Sequence, residues 1–204
     1  MDITNEIHRD YLNKADTAAQ MGARLTRRLL GFARQRQLKP TVLNANKHVL
    51  AAIELLRSTI GQHITLSSDL ADDLWSILSD SSEIENTVVN LVINARDAMP
   101  RGGTVTIETR NVSFTGLEAE NSFGILPGNY IRLSVSDTGI GMNEVVKAHV
   151  FEPFFTTKKA NSGLGLASIH GFARQSGGDV HIHSDTDHGA VISVFLPSDC
   201  ETVA

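Results

Sequence analysis

The residues best suited to chemistry fall in one stretch and one upstream helix. The stretch runs Asp137-Thr138-Gly139-Ile140-Gly141-Met142, then Phe151-Glu152-Pro153-Phe154-Phe155-Thr156-Thr157-Lys158, then Ser162-Gly163-Leu164-Gly165-Leu166. Two glycine turns therefore flank a loop of aromatics, threonines and lysines. A backbone without Cβ approaches a ligand closely and takes positive φ without steric penalty. The second turn opens an apolar, helix-patterned run from Leu164 to Ile169, whose free N–H groups and positive dipole end suit a phosphate. Upstream, Asn90 and Asn94 stand one helical turn apart on one face, with Asp97 another near-turn on. An ionised Asp137 accepts hydrogen bonds and donates none, so it separates an amino edge from an oxo edge. A lone glycine turn is common, and Asp137 by itself reads equally well as a turn aspartate. The weight lies in the ordered set.

Those groups need a scaffold, and the hydrophobic periodicity predicts one. Ile84, Val88, Leu91, Val92, Ala95 and Met99 make the buried stripe of a long helix. Ser81 or Ser82 is its expected cap, Glu85 lies in its first turn, and Pro100-Arg101-Gly102-Gly103 ends it. Before it, Val49, Ile53 and Leu56 mark a helix ending near Gly61. Ile64-Thr65-Leu66 and Leu74 to Leu78 then read as paired strands around an acidic turn at Asp72-Asp73. After it, Thr104 to Arg110 and Tyr130 to Ser136 alternate as strands, with Asn111 to Asn129 a polar surface excursion. Leu164 to Gln175 reads as a helix stopped by Gly177-Gly178, and Val180–Ser184 with Ala190–Leu196 as a hairpin around Asp187-His188-Gly189. His181 and His183 alternate outward there, as a surface pair or, less simply, metal ligands. Strands largely in hairpins with interspersed helices give an α+β fold, a two-layer sandwich of a mixed sheet with helices on one face.

Composition narrows the function classes. The chain has 204 residues, 41% hydrophobic and 20% charged, the profile of a soluble globular protein. A formal charge of −5 argues against a nucleic-acid binder, whose phosphate contacts call for basic surface. No apolar run approaches the roughly 20 residues that span a bilayer, so membrane contact by this segment is not expected. Cys200 is the single cysteine, which fits a reducing cytoplasm. The histidines show no HExxH or Cys/His spacing, so zinc is not expected.

Residues 6–38 lack Pro and carry Ile7, Tyr11, Ala15, Ala18, Gly22, Leu25, Leu29 and Phe32 at steps of three and four, with Pro40 as the stop. Asp2 and Thr4 are candidate caps. A helix of ~30 residues spans roughly 45 Å, more than one small core covers. It is expected to pack on a second helix or another subunit; the plainer alternative is an amphipathic helix docked on the same domain.

The four ordered motifs resemble the ATP-binding domain of the sensor histidine kinases of two-component systems, within the superfamily of gyrase, Hsp90 and MutL. In that family's terms they are the N box, the first glycine box, the F box and the second glycine box. The string Leu25-Thr26-Arg27-Arg28-Leu29-Leu30-Gly31-Phe32-Ala33-Arg34 resembles the second helix of the kinases' dimerisation hairpin. The resemblance implies residues 1–40 as a partial dimerisation and phosphotransfer helix, and 41–204 as the catalytic ATP-binding domain. It makes ATP and Mg2+ the cofactors and Asp137 the acceptor for the adenine amino group. Asn94 becomes the magnesium ligand through its amide oxygen, a hard donor. Asn90, Asp97, Gly139, Gly141, Phe155, Thr156, Thr157, Lys158, Ser162, Gly163, Leu164, Gly165 and Leu166 complete the ATP site. Asp97 either orients magnesium-bound water or is a plain solvated charge. Phe151, Phe154 and Phe155 would anchor the lid, and Lys158 or Lys159 would swing onto the γ-phosphate. The implied activity is transfer of the γ-phosphoryl group to a histidine, for relay to a response-regulator receiver domain. A cytoplasmic homodimer joined through the N-terminal helix is the implied assembly.

Three departures qualify this. The family's phospho-accepting histidine motif has no match; His8, in His8-Arg9-Asp10-Tyr11, has neither its acidic neighbour nor its position, and reads better as an exposed helical residue. The chain is therefore expected to be a fragment cut within the hairpin, or a variant without the first helix, unable to phosphorylate itself. Asn161 replaces the first glycine of the second glycine box, and the third box reads Gly189-Ala190, losing a hydroxyl. Asn90 stands where related ATPases carry a water-activating glutamate, and an amide cannot take that proton. Transfer is thereby favoured over hydrolysis. Two rival classes remain: a scaffold or phosphotransfer dimer with a decayed nucleotide site, and a superfamily ATPase or serine kinase.

Overall fold

Two helices frame the fold, each launched from a short strand. In the computed structural model, which describes residues 39–115, 125–158 and 162–199, the order is β1 (Thr41–Leu43), α1 (Ala45–Arg57), β2 (Ile64–Leu70), β3 (Ile77–Ser79) and α2 (Ser81–Asp97). The helix expected over residues 6–38 lies outside the described residues. Asn44 caps α1, its Oδ1 accepting from Asn46 N–H at 2.9 Å. Asp80, rather than Ser81 or Ser82, caps α2: its extended backbone sets Oδ1 2.9 Å from Ser82 N–H, and Ser81 is already helical. Such a cap contributes about 1 kcal/mol. Glu83 is the acid of the first turn, while Glu85 reaches across to α1, where its Oε1 lies 2.9 Å from His48 Nδ1.

The expected pairing of Ile64–Leu66 with Leu74–Leu78 does not occur. β3 pairs antiparallel with β1, Val42 opposite Leu78, because α1 and α2 pack together and bring their lead-in strands side by side. β2 pairs parallel with β4 (Gly103–Phe114) over its whole length, from Ile64 opposite Gly103 to Leu70 opposite Thr109. The chain between β2 and β3 is held by side chains instead of a ladder. Asn46 Nδ2 donates to Ala71 O at 2.7 Å, Thr109 Oγ1 to Asn46 Oδ1 at 2.8 Å, and Trp75 N–H to Asn111 Oδ1 at 2.9 Å. These bonds satisfy backbone groups of Ala71 and Trp75 without a strand ladder.

The remaining elements are β5 (Gly128–Asp137), α3 (Glu144–His149), α4 (Gly165–Gln175), β6 (Asp179–Ser184) and β7 (Ala190–Pro197). The main sheet has five strands in the order β2-β4-β5-β7-β6, antiparallel except for the β2–β4 pair. This is the mixed sheet that the sequence predicts. Val105, Ile107, Ile131, Leu133, Val135, Ile192, Val194 and Leu196 alternate onto one face and form a single core with Val49, Ile53, Ile84, Val88, Leu91, Val92, Ile169 and Phe172 of the helices. The opposite face is polar, with Ser134 and Ser193 hydroxyls 3.0 Å apart, apart from one aromatic cluster. Phe114 meets Tyr130 and Phe195 edge-on, with ring centroids 5.6 and 5.5 Å away. That cluster corrects the expected excursion over Asn111–Asn129. β4 continues to Phe114 and β5 starts at Gly128, because Val112 and Phe114 alternate onto the aromatic side and keep the ladder going.

Candidate functional site

Helix α2 presents its polar side beside the ends of β4 and β5. Val88, Leu91, Val92 and Ala95 are buried beneath, leaving Asn90, Asn94 and Asp97 half-buried. Asp97 is held locally: Arg96 Nε and one terminal nitrogen donate to its Oδ1 at 3.1 and 2.8 Å. Among the described residues, the side-chain amides of Asn90 and Asn94 have no hydrogen-bond partner.

Asp137 closes β5, opposite Val105 on one side and Ala190 on the other. Gly139 N–H donates to its Oδ1 at 2.8 Å. Burial raises the Asp137 carboxyl above the usual aspartate range, against the pull of the Gly139 and Ala190 backbone N–H groups and the Lys158 ammonium. The first glycine turn is pinned to its surroundings by backbone bonds. Ile140 N–H donates to Ala98 O at 3.2 Å, Asp187 N–H to Ile140 O at 2.8 Å, and Met142 N–H to Ser184 Oγ at 2.9 Å. Gly141 has φ +64°, and a Cβ there would overlap the carbonyl of Asp185, so no other residue fits. Ala190, in the third box, contributes a backbone N–H to Asp137.

The F-box loop lies across from α2. Phe151 packs against the core and stacks on His170 of α4, with centroids 4.9 Å apart and planes 24° from parallel. Phe155 is half-buried against His149 of α3, at 5.7 Å. Phe154 does not anchor the loop as expected: it is 52% exposed and has φ +70°. Its N–H donates to Gly163 O at 3.0 Å, so its backbone joins the two ends of the loop and turns the ring outward. Thr156 and Thr157 are exposed, and the Thr156 hydroxyl is engaged by Lys158 N–H at 3.0 Å. Lys159 and Asn161 lie outside the described residues.

Lys158 reaches inward. Its Nζ donates to Asn94 O at 3.2 Å. Burial pushes this ammonium below the usual lysine range; the carboxylates of Asp97 and Asp137 oppose the shift, and Arg96 adds to it. Asp97, Asp137 and Lys158 therefore share one electrostatic neighbourhood, with Arg96 beside it. The sequence alone assigns Arg96 no role; the structure sets its guanidinium on Asp97.

The second glycine turn closes the site. Gly163 has φ +66° and lies against the Phe154 backbone, and Ser162 is half-buried beside it. Leu164 is buried and begins α4 without a side-chain cap, so the first N–H groups, those of Gly165 and Leu166 included, stay available to an anion. A Cβ on Gly165 would lie 3.7 Å from Asn94 Nδ2 and 3.9 Å from Asn90 Oδ1. The uncapped helix start thus faces both asparagines at close range. His181 is half-buried and edge-on to Phe195, with centroids 5.7 Å apart, and His183 is exposed.

An acceptor carboxylate at a strand end, a polar helix face and an open helix N-terminus, arranged on a mixed sheet, define a nucleotide-binding class of α+β domain. The chain belongs to the family of histidine kinase-, DNA gyrase B- and HSP90-like ATPases, whose pattern matches residues 79–199. It is 37% identical over 181 residues to the sensor kinase CckA of Brucella abortus (strain 2308), covering 88% of this chain and 19% of that protein. It is 25% identical over 195 residues to the signal transduction histidine-protein kinase AtoS of Escherichia coli (strain K12), covering 95% of this chain and 30% of that protein. The chain therefore spans less than a third of either relative. The catalytic domain of histidine kinase ThkA shares the fold, with a TM-score of 0.64 and 23% identity over 78% of this chain and 96% of that one. Full-length ShkA, solved in complex with AMPPNP, has a TM-score of 0.69 and 22% identity over 93% of this chain and 38% of that one. No helix among the described residues is long and apolar enough to cross a membrane.

Proposed function

We propose that this chain is the catalytic part of a cytoplasmic sensor histidine kinase that binds Mg-ATP and donates the γ-phosphoryl group to a histidine. The observation that carries the reading is the uncapped start of α4 facing Asn90 and Asn94, with Asp137 on the adjoining strand end. Asp137 accepts from the adenine amino group, the α4 N–H groups hold phosphate oxygens, and Lys158 meets the γ-phosphate. The residues present suit magnesium: the Asn94 amide oxygen is a hard donor free of other partners among the described residues, and one protein ligand with phosphate oxygens and water is how this ion is commonly held. When bound, the ion neutralises charge on the transferring group. Asn90 cannot deprotonate water, which supports transfer to a protein acceptor over hydrolysis.

The acceptor lies elsewhere in this reading. The family's acceptor motif has no match in this sequence, and His8 lacks its acidic neighbour. Transfer requires the acceptor to be held in line with, and close to, the γ-phosphate. The phosphoryl group would pass on to an aspartate of a receiver domain; ThkA, one of the proteins of similar fold, has been solved in complex with the response regulator TrrA. The test is transfer of labelled γ-phosphate to a separately supplied hairpin carrying the acceptor histidine. Acid-labile label on that hairpin, with none on this chain, supports the reading. Steady phosphate release without an acceptor favours an ATPase instead. Acid-labile label on this chain, lost on His8→Ala, would make His8 the acceptor.

A further inference from the structure

Lys158 reaches a place that a nucleotide must also use. Its ammonium donates to Asn94 O on α2 and lies within the fields of Asp97 and Asp137. A ligand that contacts both Asp137 and the Asn94 side chain lies in the field of this ammonium. It would meet a half-buried cation already satisfied by the protein. Two further bonds lie in the described part of this loop. Lys158 N–H donates to Thr156 Oγ1, and Phe154 N–H to Gly163 O. The lysine is therefore engaged with the α2 carbonyl and its acidic neighbours, while the nucleotide reading also assigns it the phosphate tail.

We propose that Lys158 is a tethered competitor of the nucleotide that doubles as a gauge of phosphate-tail length. Entry of any adenine nucleotide draws Nζ away from Asn94 O and from the carboxylate field. ATP offers the γ-phosphate oxygens in return, so the displaced ammonium regains partners of higher charge. ADP offers no such group, so its binding bears the full cost of stripping a desolvated cation of its partners. The site then favours ATP over ADP by weakening ADP as well as by holding ATP, which speeds release of the product of phosphoryl transfer. This inference rests on the nucleotide reading given above and adds a selectivity that family membership does not specify.

The test is calorimetric binding of ADP and ATP, each with magnesium, to the parent chain, Lys158→Met and Lys158→Arg. Lys158→Met should bind ADP several-fold more tightly and ATP more weakly. The ATP-to-ADP affinity ratio should fall about tenfold, the size of one charge-assisted hydrogen bond. Lys158→Arg keeps the charge and should retain most of the parent's ratio. Thermal unfolding of each variant shows that the fold is kept. ADP affinity unchanged or lowered in Lys158→Met overturns the competitor role. A parent chain that binds neither nucleotide overturns the nucleotide reading itself, a failure distinguishable from that of the gauge alone.

Discussion

Replacing Asp137 with asparagine should separate binding from stability. The carboxylate is half-buried at the end of β5, with Oδ1 engaged by Gly139 N–H at 2.8 Å and a second backbone bond to Ala190. Asparagine is nearly isosteric and its amide oxygen can keep the Gly139 bond, so the turn should survive. What it loses is the charged acceptor for the adenine amino group, and its NH2 presents a donor where an acceptor is wanted. A hydrogen bond to a charged group contributes about 1.5–3 kcal/mol, so ATP affinity should fall roughly ten- to a hundredfold. Stability should move the other way. Burial raises the native carboxyl pKa above its unfolded value, so the native state holds that proton more firmly than the unfolded chain. The stabilising contribution is complete below the unfolded pKa and is lost as pH rises through the native one. Near neutral pH the parent therefore carries a desolvated charge that Asp137→Asn removes, and the variant should melt higher without ligand. Calorimetric titration with Mg-ATP and thermal unfolding at neutral pH read the two effects. Unchanged ATP affinity would remove Asp137 from the site, and a lower melting temperature would refute the burial argument.

The same carboxyl predicts that ATP affinity in the parent declines on acidification at a pH above the usual aspartate range, whereas Asp137→Asn shows no such decline; titrations across that range check this. Asn94→Ala should reduce the magnesium-dependent part of ATP binding while leaving the melting temperature nearly unchanged, as seen by comparing titrations with and without magnesium. Gly141→Ala should destabilise the chain by at least about 1–3 kcal/mol in denaturant titration, because φ +64° and the Asp185 carbonyl leave no place for a Cβ. Leu91, 1% exposed beneath the asparagine face, should cost about 2–5 kcal/mol as alanine, measured the same way.

The parts of the fold that were legible share a short-range cause. The stripe of Ile84, Val88, Leu91, Val92, Ala95 and Met99 has only one helical reading, and all six are buried. The β6–β7 hairpin was readable for the same reason, alternation on either side of a tight turn. What could not be read depended on partners distant in the chain. The pairing of β3 with β1 follows from α1 packing on α2, and the strandless segment around Trp75 relies on Asn46, Thr109 and Asn111. The cap at Asp80 was missed because two serines follow it, and side-chain chemistry alone does not say which residue leaves the helix first. In the site, the sequence placed Asp137, both asparagines and the glycine turns in one region through motif order. It could not show that Phe154 faces outward, because that depends on a backbone bond to Gly163 across the loop. Nor could it aim Lys158 at a carbonyl of α2.

The central claim is that Mg-ATP binds between Asp137, the asparagine face of α2 and the start of α4. Amide NMR of the isotopically labelled chain tests it most directly, because glycine backbone and asparagine side-chain signals report on those walls separately. Saturable shifts on adding Mg-ATP should appear at Gly139, Gly163, Gly165 and the Asn94 side-chain amide, with much weaker shifts on adding Mg-GTP. Absence of shifts at these residues, or equal responses to the two nucleotides, would contradict it.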